Sequence, residues 1–335
     1  SLLLKPGGVL YLVHTTGSQG TSLLAQKLAT YFASHRPQLI PVDPQDTAGL
    51  RAEVKRYLQS TPSGAIGLNY TGGTKVMAIH AYQALQAFCQ TSRRRAVFSY
   101  LDADTLEMAI EPDARRPALR RRVVQSVTPT LQEVFDLHNI QLECTPQLDP
   151  ILPEMAGALA QMMATPHGAK IWKEGRKILR ACSDRRWETV KAELLQAGVT
   201  SALVTALETA LHLQDGEPIQ QDAAAQHTGL AGWNELWPWL DGFWLEHWAL
   251  ACIEALGYPQ RARNLIGLTP SKFEIDVAVL RGYQLFALSC SVTGNSSKAK
   301  LKLFEVYTRA KQIGGDEARI GLVCAADDPQ GLQQQ

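Results

Sequence analysis

The stretch over residues 65–78, AIGLNYTGGTKVMA, decides the fold of the first half of the chain. Its apolar start predicts a buried strand over residues 65–69, and the segment over residues 74–88 predicts a helix. In the Gly-Gly-Thr-Lys loop between them, the glycines let a ligand approach the backbone, and the helix N-terminus offers N–H groups to an anion. An ordinary tight turn with Thr74 as helix N-cap is the alternative interpretation.

Further strand and helix patterns flank this stretch on both sides. Strands are predicted over residues 9–13, 39–42, 96–101 and 106–110, and helices over residues 18–34 and 46–58. Strands separated by helices of this length indicate βαβ units around a parallel sheet.

A second polar loop follows the first predicted strand and is formed by Thr15, Thr16, Gly17, Ser18 and Gln19. Neither loop matches the G-x-x-x-x-G-K-[ST] or G-x-G-x-x-G nucleotide motifs, which disfavours a simple kinase or dehydrogenase. Ligands of open α/β sheets bind at the carboxyl ends of the strands. Two polar loops at such ends, one with Lys75, favour a phosphate-bearing ligand.

The remainder of the chain predicts a helical segment and then a second α/β unit. Prolines 146, 150 and 153 mark a linker, and the last third predicts a helix over 242–256, strands over 273–280, 283–289 and 320–325, and a helix over 298–313. We therefore expect an α/β domain over residues 1–145, a helical linker region over 146–240 and another α/β domain over 241–335.

Composition excludes several classes of protein. The 335 residues carry 33 Lys and Arg against 32 Asp and Glu, with 45% hydrophobic residues, which excludes wholesale disorder and a globally basic histone-like protein. No apolar run is long enough to cross a membrane. The six cysteines form no C-x-x-C pair, so neither a zinc site nor a disulfide framework is indicated, and a cytoplasmic protein is predicted.

Carboxylates in apolar surroundings mark a candidate metal site in the last third. Glu246 lies early in a predicted helix, and Glu274 and Asp276 share one face of a predicted strand. Such carboxylates cost free energy unless they are paired or bind a hard cation such as Mg²⁺ or Mn²⁺, whose bound water can attack a phosphodiester. The alternative is that Glu274 is a solvated edge residue and that Asp276 pairs with an arginine.

Residues 68–78, LNYTGGTKVMA, resemble the signature of the CRISPR-associated Rossmann-like (CARF) domain. The resemblance implies a homodimer that binds cyclic oligoadenylate, most often cyclic tetra-adenylate. It also implies that the first strand–helix unit of that domain is missing before Ser1. The implied ligand-binding residues are Thr15, Thr16, Gly17, Ser18, Gln19, Asn69, Thr71, Gly72, Gly73, Thr74 and Lys75.

Residues 242–325 resemble the PD-(D/E)xK restriction-endonuclease fold that follows CARF domains in type III CRISPR accessory nucleases. The resemblance implies a metal-dependent endonuclease that nicks DNA or cleaves single-stranded DNA or RNA, with Glu246 and Asp276 holding Mn²⁺ or Mg²⁺. Where the pattern requires Glu-x-Lys, however, the sequence reads Ser289-Cys290-Ser291.

Two hypotheses follow from that departure. In the first, the site is inactive and the protein is a ligand-binding or ligand-degrading sensor. In the second, the catalytic lysine has migrated to the following helix, where Lys298, Lys300 and Lys302 are candidates and Glu305 restores a metal-binding carboxylate. The persistence of Glu246 and Asp276 favours migration.

Other reactive or charged residues receive structural interpretations. We expect Cys290 to be a buried, inert thiol and His247 to point away from Glu246. The tryptophans 233, 237, 239, 244 and 248 predict an interdomain core rather than a base-stacking surface. The arginine runs 93–95 and 120–122 predict exposed loops.

Overall fold

The computed structural model describes residues 4, 7–17, 21–111, 117–124, 126–165, 167–268, 271–292 and 296–325. The chain forms two compact units, Ser1–Ile140 and Gln141–Gln335. Among the described helices, none is long and apolar enough to cross a membrane.

The first unit alternates strands and helices, as the sequence predicts. Its strands are β1 (Tyr11–Thr15), β2 (Gln38–Val42), β3 (Ile66–Asn69), β4 (Ala96–Asp102), β5 (Glu107–Glu111) and β6 (Leu119–Arg122). Its helices are α1 (Ser22–Tyr31), α2 (Thr47–Ser60), α3 (Lys75–Ser92) and α4 (Leu131–Leu137). The predicted α/β class is confirmed.

The strands of this unit form two hydrogen-bonded groups rather than one parallel sheet. β1 pairs in parallel with β2, and β3 pairs in parallel with β4. β5 and β6 are antiparallel additions, because the short turn after Asp102 leaves no room for a crossover helix. A common core of Ile40, Leu50, Leu85 and Phe98 packs α2 and α3 onto strands of both groups.

Of the two arginine runs predicted to be exposed loops, residues 93–95 do form the connection between α3 and β4, with Arg93 and Arg95 exposed, whereas residues 120–122 form part of a strand. Residues 120–122 belong to β6, which pairs with β5, although their side chains are exposed. Arg93 ends α3 in the left-handed conformation, and Arg94 donates hydrogen bonds to the carbonyls of Gly64 and Thr61 at 2.9 and 3.2 Å. Pairing with β5 accounts for the strand over residues 120–122, and the main-chain acceptors of Arg94 anchor the loop before β4.

The second unit begins with helices that pack around buried tryptophans. These helices are α5 (Pro153–Met163), α6 (Gly168–Arg180), α7 (Trp187–Gln196), α8 (Ser201–Leu211), α9 (Gln221–Gln226) and α10 (Trp233–Pro238). Trp239 and Trp244 are fully buried, as expected for core residues, together with Trp172 and Trp187. This core lies within the second unit, which rules out base stacking on these four rings.

The predicted helix over 242–256 begins later and is preceded by a distortion. Trp239–Phe243 forms a π-helical turn directly after Pro238, and α11 then covers Trp244–Ala255. Proline removes a helical donor, which accounts for the irregular hydrogen bonding around it.

A four-stranded sheet completes the second unit. Its strands, in the order β10-β9-β8-β7, are β10 (Arg319–Cys324), β9 (Gln284–Ser291), β8 (Phe273–Arg281) and β7 (Arg261–Gly267). β7, β8 and β9 are antiparallel, and α12 (Ser296–Gly314) returns the chain to β10, which is parallel to β9. The sequence analysis missed β7, because Arg261, Arg263 and Asn264 interrupt its apolar pattern.

Candidate functional site

Asp276 is a buried carboxylate on β8, held by hydrogen bonds from the neighbouring strand. Ser289 on β9 donates its hydroxyl to Asp276 Oδ2 at 3.0 Å, and the backbone N–H of Cys290 donates to the same oxygen at 2.6 Å. The residues that stand where the Glu-x-Lys pattern was expected thus serve as hydrogen-bond donors to Asp276. Donors that favour the charged form stabilise a buried carboxylate.

Glu246, in the first turn of α11, forms a buried ion pair with Arg263 on β7. Arg263 donates from Nη2 and Nε to Glu246 Oε2 at 2.6 and 3.2 Å, and its Nη1 donates to Gln147 Oε1. Burial raises the pKa of Glu246 to about 7, Arg263 opposes that shift, and Asp276 and Glu274 add to it. Arg263 therefore limits a shift that burial alone would make larger.

The expected arginine partner is thus present, but on a different carboxylate. The sequence analysis offered an arginine as the alternative partner of Asp276, whereas Arg263 binds Glu246. Arg263 and Gln147 were not recognised as site residues. A charged residue inside the apolar pattern of residues 261–267 was the signal that could have identified Arg263.

Lys302 is the candidate lysine that the structure places at Asp276. Its Nζ lies 3.9 Å from Asp276 Oδ2 and donates to the carbonyl oxygen of Cys290 at 3.1 Å. Lys298 and Lys300 are exposed on the same helix, α12. The helix after β9 therefore brings an ammonium group to the carboxylate, as the migration hypothesis requires.

Two further carboxylates complete an acidic cluster. Glu274 lies two residues before Asp276 on β8 and is exposed, as the alternative of a solvated residue predicts; partial burial still raises its pKa, and the charges of Asp276 and Glu305 act in the same direction. Lys302 and Arg263 act in the opposite direction. Glu246, Glu274, Asp276 and Glu305 therefore lie close enough to influence one another, with two cationic side chains among them.

In its donor chemistry this cluster is suited to a hard divalent cation. Within the described part of the chain, no group of three or more His, Cys, Asp or Glu side chains is arranged to hold a metal ion. Mg²⁺, however, keeps several water ligands and commonly takes only one or two protein carboxylates together with substrate phosphates. Burial is the largest cause of the raised pKa values of Glu246 and Glu274, and the neighbouring carboxylates add to both shifts.

His247 and Cys290 have structural roles beside the acidic cluster. Ile151 donates its backbone N–H to His247 Nδ1 at 2.8 Å, and burial lowers the pKa of the imidazole to about 3, so His247 is neutral. Burial also raises the pKa of the Cys290 thiol far above its ordinary range, with Asp276 and Glu246 adding to the shift. Cys290 is buried, as expected.

The loop after β3 in the first unit is built by its own polar side chains. Asn69 Oδ1 accepts from the N–H of Thr71 at 3.1 Å, and Thr71 Oγ1 accepts from the N–H of Leu101 at 2.7 Å. Gly73 has φ +84°, which favours glycine, and Thr74 caps α3 by accepting from the N–H of Met77 at 3.2 Å. The alternative interpretation, an N-capped turn, is therefore structurally correct.

That turn also leaves groups available for a ligand. Gly72 and Lys75 are exposed, and a side chain at Gly72 would meet no atom within 4 Å. Lys75 is the first residue of α3, so its ammonium lies at the end of the helix where the dipole is positive. The turn thus combines open backbone, an N-terminus and a cation, the features that an anionic ligand requires.

The loop after β1 is closed by a reciprocal pair of threonines. Thr15 donates its N–H to Thr21 Oγ1 at 3.1 Å, and Thr21 donates its N–H to Thr15 Oγ1 at 2.9 Å. Thr16 and Gly17 are exposed between them, and Gly17 has φ +96°. Ser18 and Gln19, which were predicted to bind the ligand, lie outside the described residues. The two loops follow β1 and β3, and these two strands belong to different sheets and are not hydrogen-bonded to each other.

Comparison with known proteins identifies the fold through solved structures. No protein-family model and no curated protein matches the sequence. Can2 from Sulfobacillus thermosulfidooxidans, in complex with cyclic tetra-adenylate, matches with a TM-score of 0.62 and 15% identity, covering 97% of this chain and 84% of Can2. Protein VC1899 from Vibrio cholerae matches with a TM-score of 0.60 and 12% identity, covering 94% of this chain and 82% of that one.

A third solved structure belongs to a longer protein, and the match covers a smaller part of that protein. It is a type III CRISPR defence DNA nuclease activated by cyclic oligoadenylate, with a TM-score of 0.48, 16% identity and coverage of 94% of this chain and 41% of that chain. The two matches with the higher TM-scores extend over both units of the present chain. The chain therefore has the fold of Can2 and VC1899.

Proposed function

We propose that this chain, which shares the fold of Can2, is a nuclease of type III CRISPR antiviral defence that cyclic tetra-adenylate activates. The observation that carries the proposal is the position of Lys302, whose ammonium lies 3.9 Å from the buried carboxylate of Asp276 in a chain of that fold. An acid–lysine pair of this kind suits phosphodiester hydrolysis, in which negative charge develops on the phosphate.

In this proposal the activator binds the loops of the first unit. One side of the ligand is assigned to Thr15, Thr16, Gly17, Ser18 and Gln19. The other side is assigned to Asn69, Thr71, Gly72, Gly73, Thr74 and Lys75, with Lys75 contacting phosphate. The protein acts as a cytoplasmic homodimer. Activation requires that cyclic tetra-adenylate bind the active arrangement more tightly than the inactive one, because equal affinity would shift no population.

The acidic cluster of the second unit performs the cleavage. Asp276 and Glu246 are assigned as metal ligands, with Glu305 as a third carboxylate and Glu274 on the same strand face as Asp276. Mn²⁺ or Mg²⁺ held by these carboxylates would supply the activation of water for attack on a phosphodiester of DNA or single-stranded RNA. Lys302 stabilises the charge that develops on the phosphate, and Ser289 and the Cys290 N–H orient the Asp276 carboxylate.

A plasmid-nicking assay tests the proposal directly. We expect supercoiled plasmid or single-stranded oligonucleotide to be cleaved only when both cyclic tetra-adenylate and Mn²⁺ are present. Asp276→Ala should abolish cleavage, whereas Asp316→Ala, which removes a carboxylate that is 91% exposed, should preserve it. Activity that survives Asp276→Ala would disprove the assigned site.

A second candidate function is a sensor without nuclease activity. It is favoured by the Arg263–Glu246 ion pair, because Glu246 must exchange this bond to become a metal ligand, and by Ser289-Cys290-Ser291 in place of Glu-x-Lys. This candidate predicts tight binding of cyclic tetra-adenylate without cleavage of any polynucleotide. Chromatography of the nucleotide after incubation would separate a passive sensor, which returns it intact, from one that degrades its own ligand.

A further inference from the structure

The segment that follows the first unit runs along the outer edge of the sheet in the second unit. The first unit ends at Ile140, and the next residues pair antiparallel with β7, an edge strand of that sheet. Glu143 donates its N–H to the carbonyl of Ile266 at 2.9 Å. The outer edge of β7 offers the unpaired main-chain groups that such a segment can bond. We call residues 141–149 the strap.

Arg263 on β7 is where the strap reaches the acidic cluster. Its N–H donates to the carbonyl of Gln147 at 2.9 Å, and the N–H of Gln147 donates back at 3.4 Å. The Arg263 side chain donates from Nη1 to Gln147 Oε1, and from Nη2 and Nε to Glu246 Oε2 at 2.6 and 3.2 Å. One guanidinium thus joins the strap to a carboxylate that the proposed nuclease assigns to its metal.

The strap is held by polar contacts at the surface rather than by a core of its own. Every residue over 141–149 is exposed or half-buried. The pair between Lys272 and Glu143, at 2.8 Å, joins side chains that are 62% and 41% exposed. Exposed pairs contribute little to stability, and segments with few buried contacts open locally at low free energy. The strap can therefore leave β7 while the pairing of β7 with β8 stays intact.

The bond from Arg263 opposes the binding of a metal ion by Glu246. Arg263 places two nitrogens of a cation on Glu246 Oε2. Like charges a few ångströms apart repel, so a carboxylate already paired with an arginine is a poorer ligand for a second cation. Asp276 accepts instead from Ser289 and from the N–H of Cys290. Between these two assigned metal ligands, Glu246 is the one whose availability depends on Arg263.

We propose that the strap is autoinhibitory: through Gln147 it holds Arg263 on Glu246, and activation withdraws it. This inference rests on the proposed function and names the regulation of that same site. Because the strap begins directly after Ile140, a ligand bound in the first unit acts on it through the chain itself. Cyclic tetra-adenylate must then bind the released form more tightly than the closed form. Gln147 is a positioning residue, because it acts on Glu246 through Arg263.

Hydrogen exchange of the full-length protein in EDTA tests release of the strap without metal or cleavage. Saturating cyclic tetra-adenylate should speed exchange of the Glu143 and Arg263 amides at least about ten-fold, because these N–H groups bond the strap to β7. The Cys290 amide, which bonds Asp276 between β9 and β8, is the internal control and should not change. Unchanged protection of Glu143 and Arg263 in protein that has bound the nucleotide would overturn the inference.

Variants of the strap test the closed form without the activator. The double variant Glu143→Ala, Gln147→Met removes two side-chain contacts of the strap and keeps the bulk of Gln147. It should raise the affinity for Mn²⁺ roughly ten-fold, the change expected for loss of one hydrogen bond to a charged group. Paramagnetic resonance of free Mn²⁺ measures this affinity in the absence of any nucleotide. A merely structural role for Gln147 would not tighten metal binding.

Two matched variants separate this effect from a general change in the strap. Leu148→Ala trims a strap side chain that is 55% exposed and should leave the affinity for Mn²⁺ unchanged. Gln147→Glu keeps an acceptor for Arg263 and should bind Mn²⁺ no more tightly than the wild type. The same Mn²⁺ affinity in the wild type and in the double variant would also overturn the inference.

Cleavage is scored separately, so that the two proposals can fail independently. The double variant should cleave without cyclic tetra-adenylate at least about ten-fold faster than the wild type does, in line with its gain in Mn²⁺ affinity. Tighter Mn²⁺ binding and faster exchange without cleavage by any of the proteins would contradict the nuclease but not the strap. Cleavage that depends on the activator while the Glu143 and Arg263 amides stay protected would contradict the strap alone.

Discussion

Arg263 and Glu246 form a buried ion pair in which Arg263 Nη2 lies 2.6 Å from Glu246 Oε2 and each side chain is only 9% exposed. The pair joins β7, which the sequence analysis missed, to the first turn of α11. Each partner neutralises a charge that would otherwise be left in an apolar interior, so the two are interdependent.

Removing the arginine alone should therefore destabilise the protein strongly. We expect Arg263→Met to lower the free energy of unfolding by about 3–5 kcal/mol, because it leaves the Glu246 carboxylate buried without its partner. The double variant Arg263→Met, Glu246→Leu should recover most of that loss. Urea unfolding of the two single variants and the double variant measures the coupling between them.

An exposed pair on the same chain provides the matched control. Arg56 lies in an ion pair with Glu53 but is 60% exposed, so Arg56→Met should lower the free energy of unfolding far less than Arg263→Met does. Equal losses for Arg263→Met and Arg56→Met would mean that burial does not strengthen the Arg263–Glu246 pair.

His247 should make the stability of the second unit depend on pH. Its pKa is lowered by burial from 6.5 to about 3, so below pH 6.5 the unfolded chain binds a proton that the folded chain does not. This contribution to stability is complete above pH 6.5 and is lost as the pH falls toward 3. Between pH 7 and pH 5 the loss is about 2 kcal/mol.

The variant His247→Gln isolates this contribution. A glutamine oxygen can still accept the N–H of Ile151, which His247 Nδ1 accepts at 2.8 Å, but glutamine does not titrate. Denaturant unfolding in EDTA at pH 7 and pH 5 should show the wild type losing about 2 kcal/mol more than the variant. The same pH dependence in both proteins would show that His247 is protonated in the folded state.

Local patterns in the sequence predict the elements of the fold well, and long-range pairing is what they omit. The loop around Thr74 and the helix α3 follow from residues that are neighbours in sequence, and Thr74 caps that helix as expected. β7 was missed because Arg263 and Asn264 break its alternation, and Asn264 also has a positive φ of 55°. Pairing with β8 stabilises β7 as a strand, although the composition of β7 alone does not predict one.

The candidate site follows the same division. Asp276 and Glu246 stand out in the sequence because they are charged residues in apolar surroundings. The bond between Glu246 and Arg263 spans 17 positions of sequence and depends on how α11 packs beside β7, so no local pattern reveals it. Similarly, Lys298 and Lys302 are equivalent by spacing, and the docking of α12 onto β9 places Lys302 at Asp276.

Lys302 should be the lysine on which cleavage depends. In the proposed nuclease, Lys302→Ala should reduce cleavage of single-stranded oligonucleotide by at least about 100-fold, because the charge on the phosphate loses its preorganised partner. Lys298→Ala should change the rate by less than about three-fold, because Lys302 is the lysine whose ammonium contacts Asp276 and the Cys290 carbonyl. Initial rates at saturating cyclic tetra-adenylate and Mn²⁺ make the comparison, and a greater loss in Lys298→Ala would transfer the catalytic role to Lys298.

Lys75 should determine the affinity for the activator rather than cleavage itself. It is an exposed cation at the first position of α3, beside the open backbone of Gly72, and a charge-assisted hydrogen bond from it to phosphate is worth about 1.5–3 kcal/mol. Lys75→Ala should therefore weaken binding of cyclic tetra-adenylate at least about ten-fold in calorimetry. Lys55→Ala, an exposed lysine on α2, is the control that should not change the affinity.

Salt and activator concentration distinguish this role from a general loss of charge. The difference in affinity for cyclic tetra-adenylate between the wild type and Lys75→Ala should become smaller as ionic strength rises, because salt screens an exposed cation. If Lys75 acts only in binding, saturating cyclic tetra-adenylate should restore the cleavage rate of the variant to that of the wild type. A variant that binds the activator normally, or one whose rate stays low at saturation, would contradict the assignment of Lys75 to the phosphate of the ligand.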